Sequence, residues 1–228
     1  MLKFSFENSK LKKLAKHLNL KNKQVVGFDL PAGWTCKMAN ICLCRANRKT
    51  GKLTDGKNAQ FRCYAASGEA AFSMTRRMRW NNFDALRKLS LHDMVALIEK
   101  SLPSSVKVVR IHSSGDYFSL NYFHAWLMVA LLHPEITFFG YSKILDYVRI
   151  AKITNLPNFK ITYSFGGKQD AELKDEPTSY VVKTIADGKK KHLPVSCVTN
   201  PTDDYDFIMA GVNFALPIHG TQKAGFYK

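Results

Sequence analysis

Four of the five cysteines of this chain, Cys36, Cys42, Cys44 and Cys63, fall in one stretch between Gly27 and Phe72, GFDLPAGWTCKMANICLCRANRKTGKLTDGKNAQFRCYAASGEAAF. A segment so rich in thiols must bury them, bridge them or give them a metal, and each choice limits the fold. The Arg and Lys interspersed with them favour thiolates, the form that binds soft metals. The start, MLKFSFENSKLKKLAKHLNL, has lysines throughout and no apolar centre, so it reads as an arm or short helix rather than a secretory leader. No apolar run reaches the ~18 residues needed to span a bilayer. A reducing compartment is therefore expected, where structural disulfides are rare and clustered thiols default to metal.

The spacing is Cys36-x5-Cys42-x-Cys44-x18-Cys63, with Cys197 far away. Zinc sites usually show paired knuckles two to four residues apart, and none is present. An iron–sulfur cluster tolerates irregular spacing because it offers several separate iron corners. Cys36, Cys42 and Cys63 form the expected core of such a site. Cys197, at a strand end, is the preferred fourth ligand of a 4Fe-4S cluster, with 3Fe-4S as the alternative form and zinc as the runner-up metal. Cys44, two residues from Cys42, is the alternative fourth ligand, although a packed free thiol suits it better.

Lys and Arg number 34 against 18 Asp and Glu, a net charge of +16. Residues 1–110 carry 22 basic and 7 acidic side chains, and residues 111–228 carry 12 and 11. The excess lies in the half that holds the cysteine loop. Such a field attracts polyanions, which leaves nucleic acid or an acidic protein as candidate partners, with a solvated basic face as the plain alternative.

At 228 residues, with 46% hydrophobic residues, the chain can bury one substantial core. The division expected is a basic arm over 1–23 and a single α/β domain over 24–228, its cluster-binding loop spanning 31–63. Seven strands are predicted: Gln24–Leu30, Val106–Ile111, Ile136–Tyr141, Phe159–Phe165, Tyr180–Ile185, Pro194–Val198 and Phe214–Ile218. Helical patterns run from Cys63 to Lys88, through Leu91–Ile98, over Leu120–Leu132 and over Ile144–Ile153, with a turn or two at Gln169–Lys174. Strands joined by helical crossovers run parallel. The expected fold is a partial or complete (β/α) barrel, with an open α/β sheet as the alternative.

In a parallel sheet the carboxyl ends of the strands carry the chemistry. Small and polar residues gather there: the cysteine loop, His112-Ser113-Ser114-Gly115-Asp116, Tyr141-Ser142-Lys143, Ser164-Phe165-Gly166-Gly167-Lys168, Cys197 and His219-Gly220-Thr221-Gln222. His112, Asp116, Tyr141 and Lys143 are the candidate catalytic or pocket residues; Gly166, Gly167 and His219 are candidates for cofactor binding. Taken singly each has a structural reading: His112 as a hydrogen-bonded histidine, Asp116 as a cap for the helix near Leu120, the glycines as a turn.

The blocks GFDLPAGWTC, TGKLTDGKNAQFRCYAAS, VRIHSSGDYFS, FFGYSK and FALPIHGTQKAG resemble those of the phage gene-product-88 family, in the same order, over roughly residues 24–225. The resemblance implies a bacteriophage-encoded protein of the host cytoplasm and leaves the reaction open. Cys36, Cys42 and Cys63 fall at its motif positions, whereas Cys44 and Cys197 do not clearly do so. It therefore implies three cysteine ligands, with an open iron or a last ligand among Asp203, Asp204, His112 and His219. A cysteine loop after the first strand of a (β/α) barrel is also similar in architecture to radical S-adenosylmethionine enzymes, although their Cys-x3-Cys-x2-Cys spacing is absent.

Three functions follow as expectations. One is an iron–sulfur protein with a structural or redox cluster. Another is an enzyme in which the cluster activates S-adenosylmethionine, with Gly166-Gly167 helping to hold it. In the third the cluster staples a nucleic-acid-binding surface, where Lys and Arg between Lys37 and Lys88 meet phosphates and Trp80 or Tyr64 stacks on bases.

Overall fold

The computed structural model describes residues 1–6, 8–196, 203–219, 222 and 226. Its centre is a six-stranded sheet of β1 (Val25–Phe28), β4 (Val108–Ile111), β5 (Thr137–Ser142), β6 (Phe159–Ser164), β7 (Thr178–Val182) and β8 (Phe214–Pro217). All neighbours pair in parallel and lie in sequence order, with Val25 opposite Val108, Phe138 opposite Phe159 and Val182 opposite Pro217. β1 and β4 are buried at every residue, as strands covered on both faces should be. β1 and β8 do not pair with each other, so the sheet does not close into a barrel, in keeping with a partial barrel or an open sheet.

Alternation along the strands divides the core in two. Val26, Phe28, Val109, Ile111, Phe138 and Phe159 pack on one face with α4 (Leu91–Ser101), α5 (Leu120–Leu132) and α6 (Leu145–Thr154). The same cluster takes Trp126, Tyr122 and Phe123, all fully buried. Val25, Val108, Phe139 and Phe214 point the other way, where a closed barrel would fill its own interior. Here Leu11, Leu14 and Ala15 of α1 (Ser9–His17) and Ile208 of α8 (Asp203–Ala210) fill it. The basic amino-terminal segment is thus built into the domain. Asn8 caps α1 through the Lys10 amide, and Ser5 bridges Gly27 on the open edge of β1.

The long crossover from β1 to β4 holds the cysteine loop, an antiparallel hairpin of β2 (Cys44–Ala46) and β3 (Leu53–Asp55), α2 (Tyr64–Ala71) and α3 (Ser73–Leu86). The helix predicted from Cys63 to Lys88 is broken at Phe72, which caps one helix and begins the next. Leu120–Leu132 is helical as predicted, and its cap is Ser119 rather than Asp116. The strand expected at Tyr180–Ile185 ends at Val182, because Thr184 starts α7 (Ile185–Lys190) with a capping box to Asp187. Of the strand expected at Pro194–Val198, the described part makes one bridge, Val195 to Ala215, on the edge of β8. Among the described residues no helix is long and apolar enough to cross a membrane.

Candidate functional site

The carboxyl ends of the strands open into a cavity of about 160 Å³ on the face that α1 covers. Cys36, Cys42 and Cys63 all border it. The loop reaches this position through backbone geometry that only glycine tolerates well. Gly33 has φ +70°, and a Cβ there would lie 2.2 Å from the Cys44 carbonyl oxygen. Gly115, φ +87°, lets the loop after β4 close on Leu30 and Thr35. At the far side the amides of Asn40 and Ile41 donate to the Gly166 carbonyl, and Ala39 bridges Gly167. The carboxylate of Asp170 takes the amides of Gly166 and Gly167 at 2.9 Å each. Both glycines therefore dock the cysteine loop and do not border the cavity. Gln222 closes the other end, accepting from the Arg62 amide at 2.8 Å and donating to the Arg62 carbonyl at 3.1 Å.

The three cavity cysteines lie within electrostatic reach of one another. Burial pushes the Cys36 thiol well up, and the negative charge of Asp116, Cys63 and Cys42 adds to it. Cys63 is pushed up to about 11 by burial and by Cys42. The Cys36 sulfur also accepts from the Gly33 amide at 3.3 Å. Cys63 is the N-cap of α2, where the amides of Ala65 and Ala66 favour its thiolate without closing a capping hydrogen bond. None of the four described cysteines forms a disulfide. Cys44 is different: it is fully buried at the start of β2 among Ala32, Ala65 and Ala66. Burial and a hydrogen bond with Asp55 raise it to about 12. Cys197 lies outside the described residues. Among those described, no group of three or more His, Cys, Asp or Glu side chains is gathered tightly enough to hold a metal ion.

His112, Tyr141, Lys143 and His219 also border the cavity. His112 has φ +58° and its Nε2 is 2.9 Å from the Tyr122 hydroxyl. Burial lowers its pKa to about 3, so the ring is neutral. His219 lies with its ring 4.6 Å from that of Tyr64, and its Nδ1 is 3.2 Å from the Pro217 carbonyl oxygen. A carbonyl only accepts, so Nδ1 carries the hydrogen and Nε2 keeps a free lone pair. Burial also lowers the His219 pKa. Lys143 Nζ donates to the Ser164 carbonyl at 2.7 Å, the Ser164 hydroxyl at 3.1 Å and the Phe165 carbonyl at 2.9 Å. Asp116 sits behind the wall, accepting from the Tyr117 amide, the Ser142 hydroxyl and the Lys143 amide, so it clamps the ends of β4 and β5 together. Burial lifts its carboxyl to about 6.

Of the deeper groups, the sequence singled out Tyr141 and Asp204 but assigned no role to Arg110 or Lys10. Arg110, on β4, stacks over Phe139 and Tyr141 and reaches Asp204 of α8 at 3.1 Å. The Tyr141 hydroxyl donates to the same carboxylate at 3.1 Å, and Lys10 of α1 lies 3.8 Å from it. A second buried network supports the loop from outside: Arg79 joins Asp29 at 3.2 Å and Glu69 at 3.0 Å. Asp29 in turn accepts the Ser113 and Ser114 amides, and Glu69 the Ala32 amide and the Ser114 hydroxyl. A periodic apolar pattern could not reveal these pairings, because each joins residues 10 or more positions apart.

The aromatics considered for base stacking are engaged. Trp80 is buried, with the Arg48 guanidinium 4.7 Å over its ring and Trp34 and Phe83 at its edges. Tyr64 lies tilted against the His219 ring and donates its hydroxyl to the Ser113 carbonyl at 2.7 Å.

Residues 2–226 match the model of the family described as Gene product 88. Among curated proteins, the chain is similar to the Gene 88 protein of Mycobacterium phage D29, 27% identical over 168 residues, which are 65% of this chain and 68% of that protein. It is also similar to the Gene 88 protein of Mycobacterium phage L5, 27% identical over 141 residues, 56% of this chain and 59% of that protein. No solved structure matches.

Proposed function

Because this chain belongs to the Gene product 88 family of bacteriophage proteins, we propose that it is a phage iron–sulfur protein of the host cytoplasm, with Cys36, Cys42 and Cys63 as cluster ligands. One observation carries this reading: three thiols from a single loop border one cavity at the carboxyl end of a parallel sheet. Their chemistry fits. Burial keeps Cys36 and Cys63 protonated when alone, and a metal centre would replace thiol protons with positive charge that stabilises thiolates. A bound cluster would supply one-electron transfer or an open iron facing the cavity.

The chain's own groups have defined parts in this reading. Gly33, Gly166 and Gln222 hold the loop in place, while Cys63 gains thiolate stabilisation from the start of α2. Neutral His219, with Nε2 free, is a candidate fourth ligand beside Cys197. Cys44, tied to Asp55 in a small core, is a packing residue.

Anaerobic purification with iron and sulfide analysis, and electron paramagnetic resonance before and after reduction, tests the proposal. Substitution of Cys36, Cys42 or Cys63 by Ser should each abolish iron retention, and Cys44→Ser should keep it. Loss of iron in Cys197→Ser or His219→Ala alone identifies the fourth ligand. Protein that takes up neither iron nor sulfide would overturn the reading, and a single zinc without sulfide would replace the cluster.

A second reading, a cluster-dependent enzyme acting on S-adenosylmethionine, is favoured by the cavity beside the thiols and by the cysteine loop that follows the first strand of the sheet. Release of methionine from added S-adenosylmethionine under strong reductant tests it. A reducible cluster without cleavage would remove it.

A further inference from the structure

The cavity is cationic, and no Asp or Glu among the described residues borders it, whereas Lys10, Arg62, Arg110 and Lys143 do. Two of these cations are spoken for. Arg62 pairs with Asp55 at 2.6 Å, and Lys143 Nζ makes its three hydrogen bonds to Ser164 and Phe165. The other two, Lys10 and Arg110, share one carboxylate, Asp204, which also takes the Tyr141 hydroxyl. One negative charge thus faces two positive ones. The Arg110 side chain is only 7% exposed, yet its Nε has no hydrogen-bond partner among the described residues. A buried cationic N–H left unpaired is costly, so its place calls for an acceptor.

The position of these groups is separate from that of the thiols. Arg110 and Tyr141 are penultimate residues of β4 and β5, and Lys10 approaches from α1 on the same face, so they form the floor. The cysteines come from the loop above the strand ends. Phe61, Val181, Leu216 and Ile218 give the same cavity an apolar lining. The volume would admit roughly a dozen water-sized groups, enough for a small organic molecule and far too little for a folded partner.

We propose that the cavity binds a small organic molecule through an anionic oxygen group, carboxylate or phosphate, that is seated on Arg110 and Lys10, with its apolar body along Phe61, Val181, Leu216 and Ile218. This inference goes beyond the cluster and does not require it. The excess cation and the unpaired Nε are present in the folded chain whatever the thiols hold.

Hexanoate, hexyl phosphate and hexanol, which share one apolar tail, serve as probes, with binding to the purified full chain measured by calorimetry. The acids should bind about tenfold or more tightly than the alcohol, since a charge-assisted hydrogen bond into a buried site is worth that ratio. The preference between hexanoate and hexyl phosphate names the acid group. Lys10→Met, on the surface side of the floor, should weaken the acids and leave hexanol unchanged. Arg110→Gln alone strands Asp204 and endangers folding, so it is paired with Asp204→Asn, and the double variant should lose the preference for acids. Equal binding of acids and alcohol, binding of neither acid at millimolar concentration, or variants that bind acids as the wild type does would each overturn the proposal. Iron measured on the same samples keeps the two readings apart. Acid binding without iron rejects only the cluster, and iron without acid binding rejects only this site.

Discussion

Arg79 is a single buried guanidinium between two buried carboxylates, Asp29 and Glu69, and it also donates to the Ala65 carbonyl. Removing it would leave two charges without a partner in the interior. Arg79→Met should therefore destabilise the fold by about 3–5 kcal/mol, a fall in melting temperature on the order of 10 °C. Arg79→Lys should recover only part, because a point charge cannot bridge both carboxylates as the planar fork does. Thermal melts of both variants check this, and wild-type melting in either would refute the role. His112 offers a pH test of the same depth. Its folded pKa is lowered to about 3 by burial, against 6.5 in the unfolded chain. Between these values the unfolded state holds the extra proton, so the His112 contribution is complete above pH 6.5 and is lost as pH falls toward 3. Cluster-free protein compared with His112→Asn, a residue that tolerates the positive φ, should show the difference in unfolding free energy changing by up to ~1.4 kcal/mol per pH unit across that window. A flat difference would mean that the ring is protonated in the fold.

At the scale of elements, the second core of the sheet depends on α1. Leu11 and Leu14 are almost wholly buried against Val25, Val108, Phe139 and Phe214. Leu14→Ala should cost about 2–5 kcal/mol in denaturant unfolding, comparable with a central core position. A cost below about 0.5 kcal/mol, typical of a surface change, would show α1 to be an appendage. Some elements were legible because their signals are local. Leu120–Leu132 is a continuous apolar run with Ser119 as cap and Pro134 beyond its end, and it forms one helix. β4, β5 and β6 are short apolar runs between helices. Other elements carry no such signal. The three-residue strands of the hairpin are too short to show alternation, and only the turn near Asp55-Gly56 was visible. Thr184 decided between strand and helix through a capping box that a hydrophobic pattern does not contain.

For the whole molecule, the edges of the sheet explain why it need not close. Ser5 pairs with the edge of β1 and Val195 with that of β8, so both outer strands have partners at the points described. With the edges covered and α1 and α8 in the interior, six strands enclose a cavity without the remainder of a barrel. The amino-acid sequence by itself determined the parallel α/β class, the crossover helices and the collection of polar residues at one end of the sheet. These follow from short-range periodicity and from the rule that crossovers make parallel strands. It also singled out Cys36, Cys42 and Cys63. Only the tertiary structure decided that these thiols share a cavity while Cys44 turns away, that Gly166 and Gly167 hold the loop, and that Arg110 and Lys10 divide a single carboxylate. Those outcomes depend on side chains brought together from distant parts of the chain, where burial and charge act through space and leave no trace in local spacing.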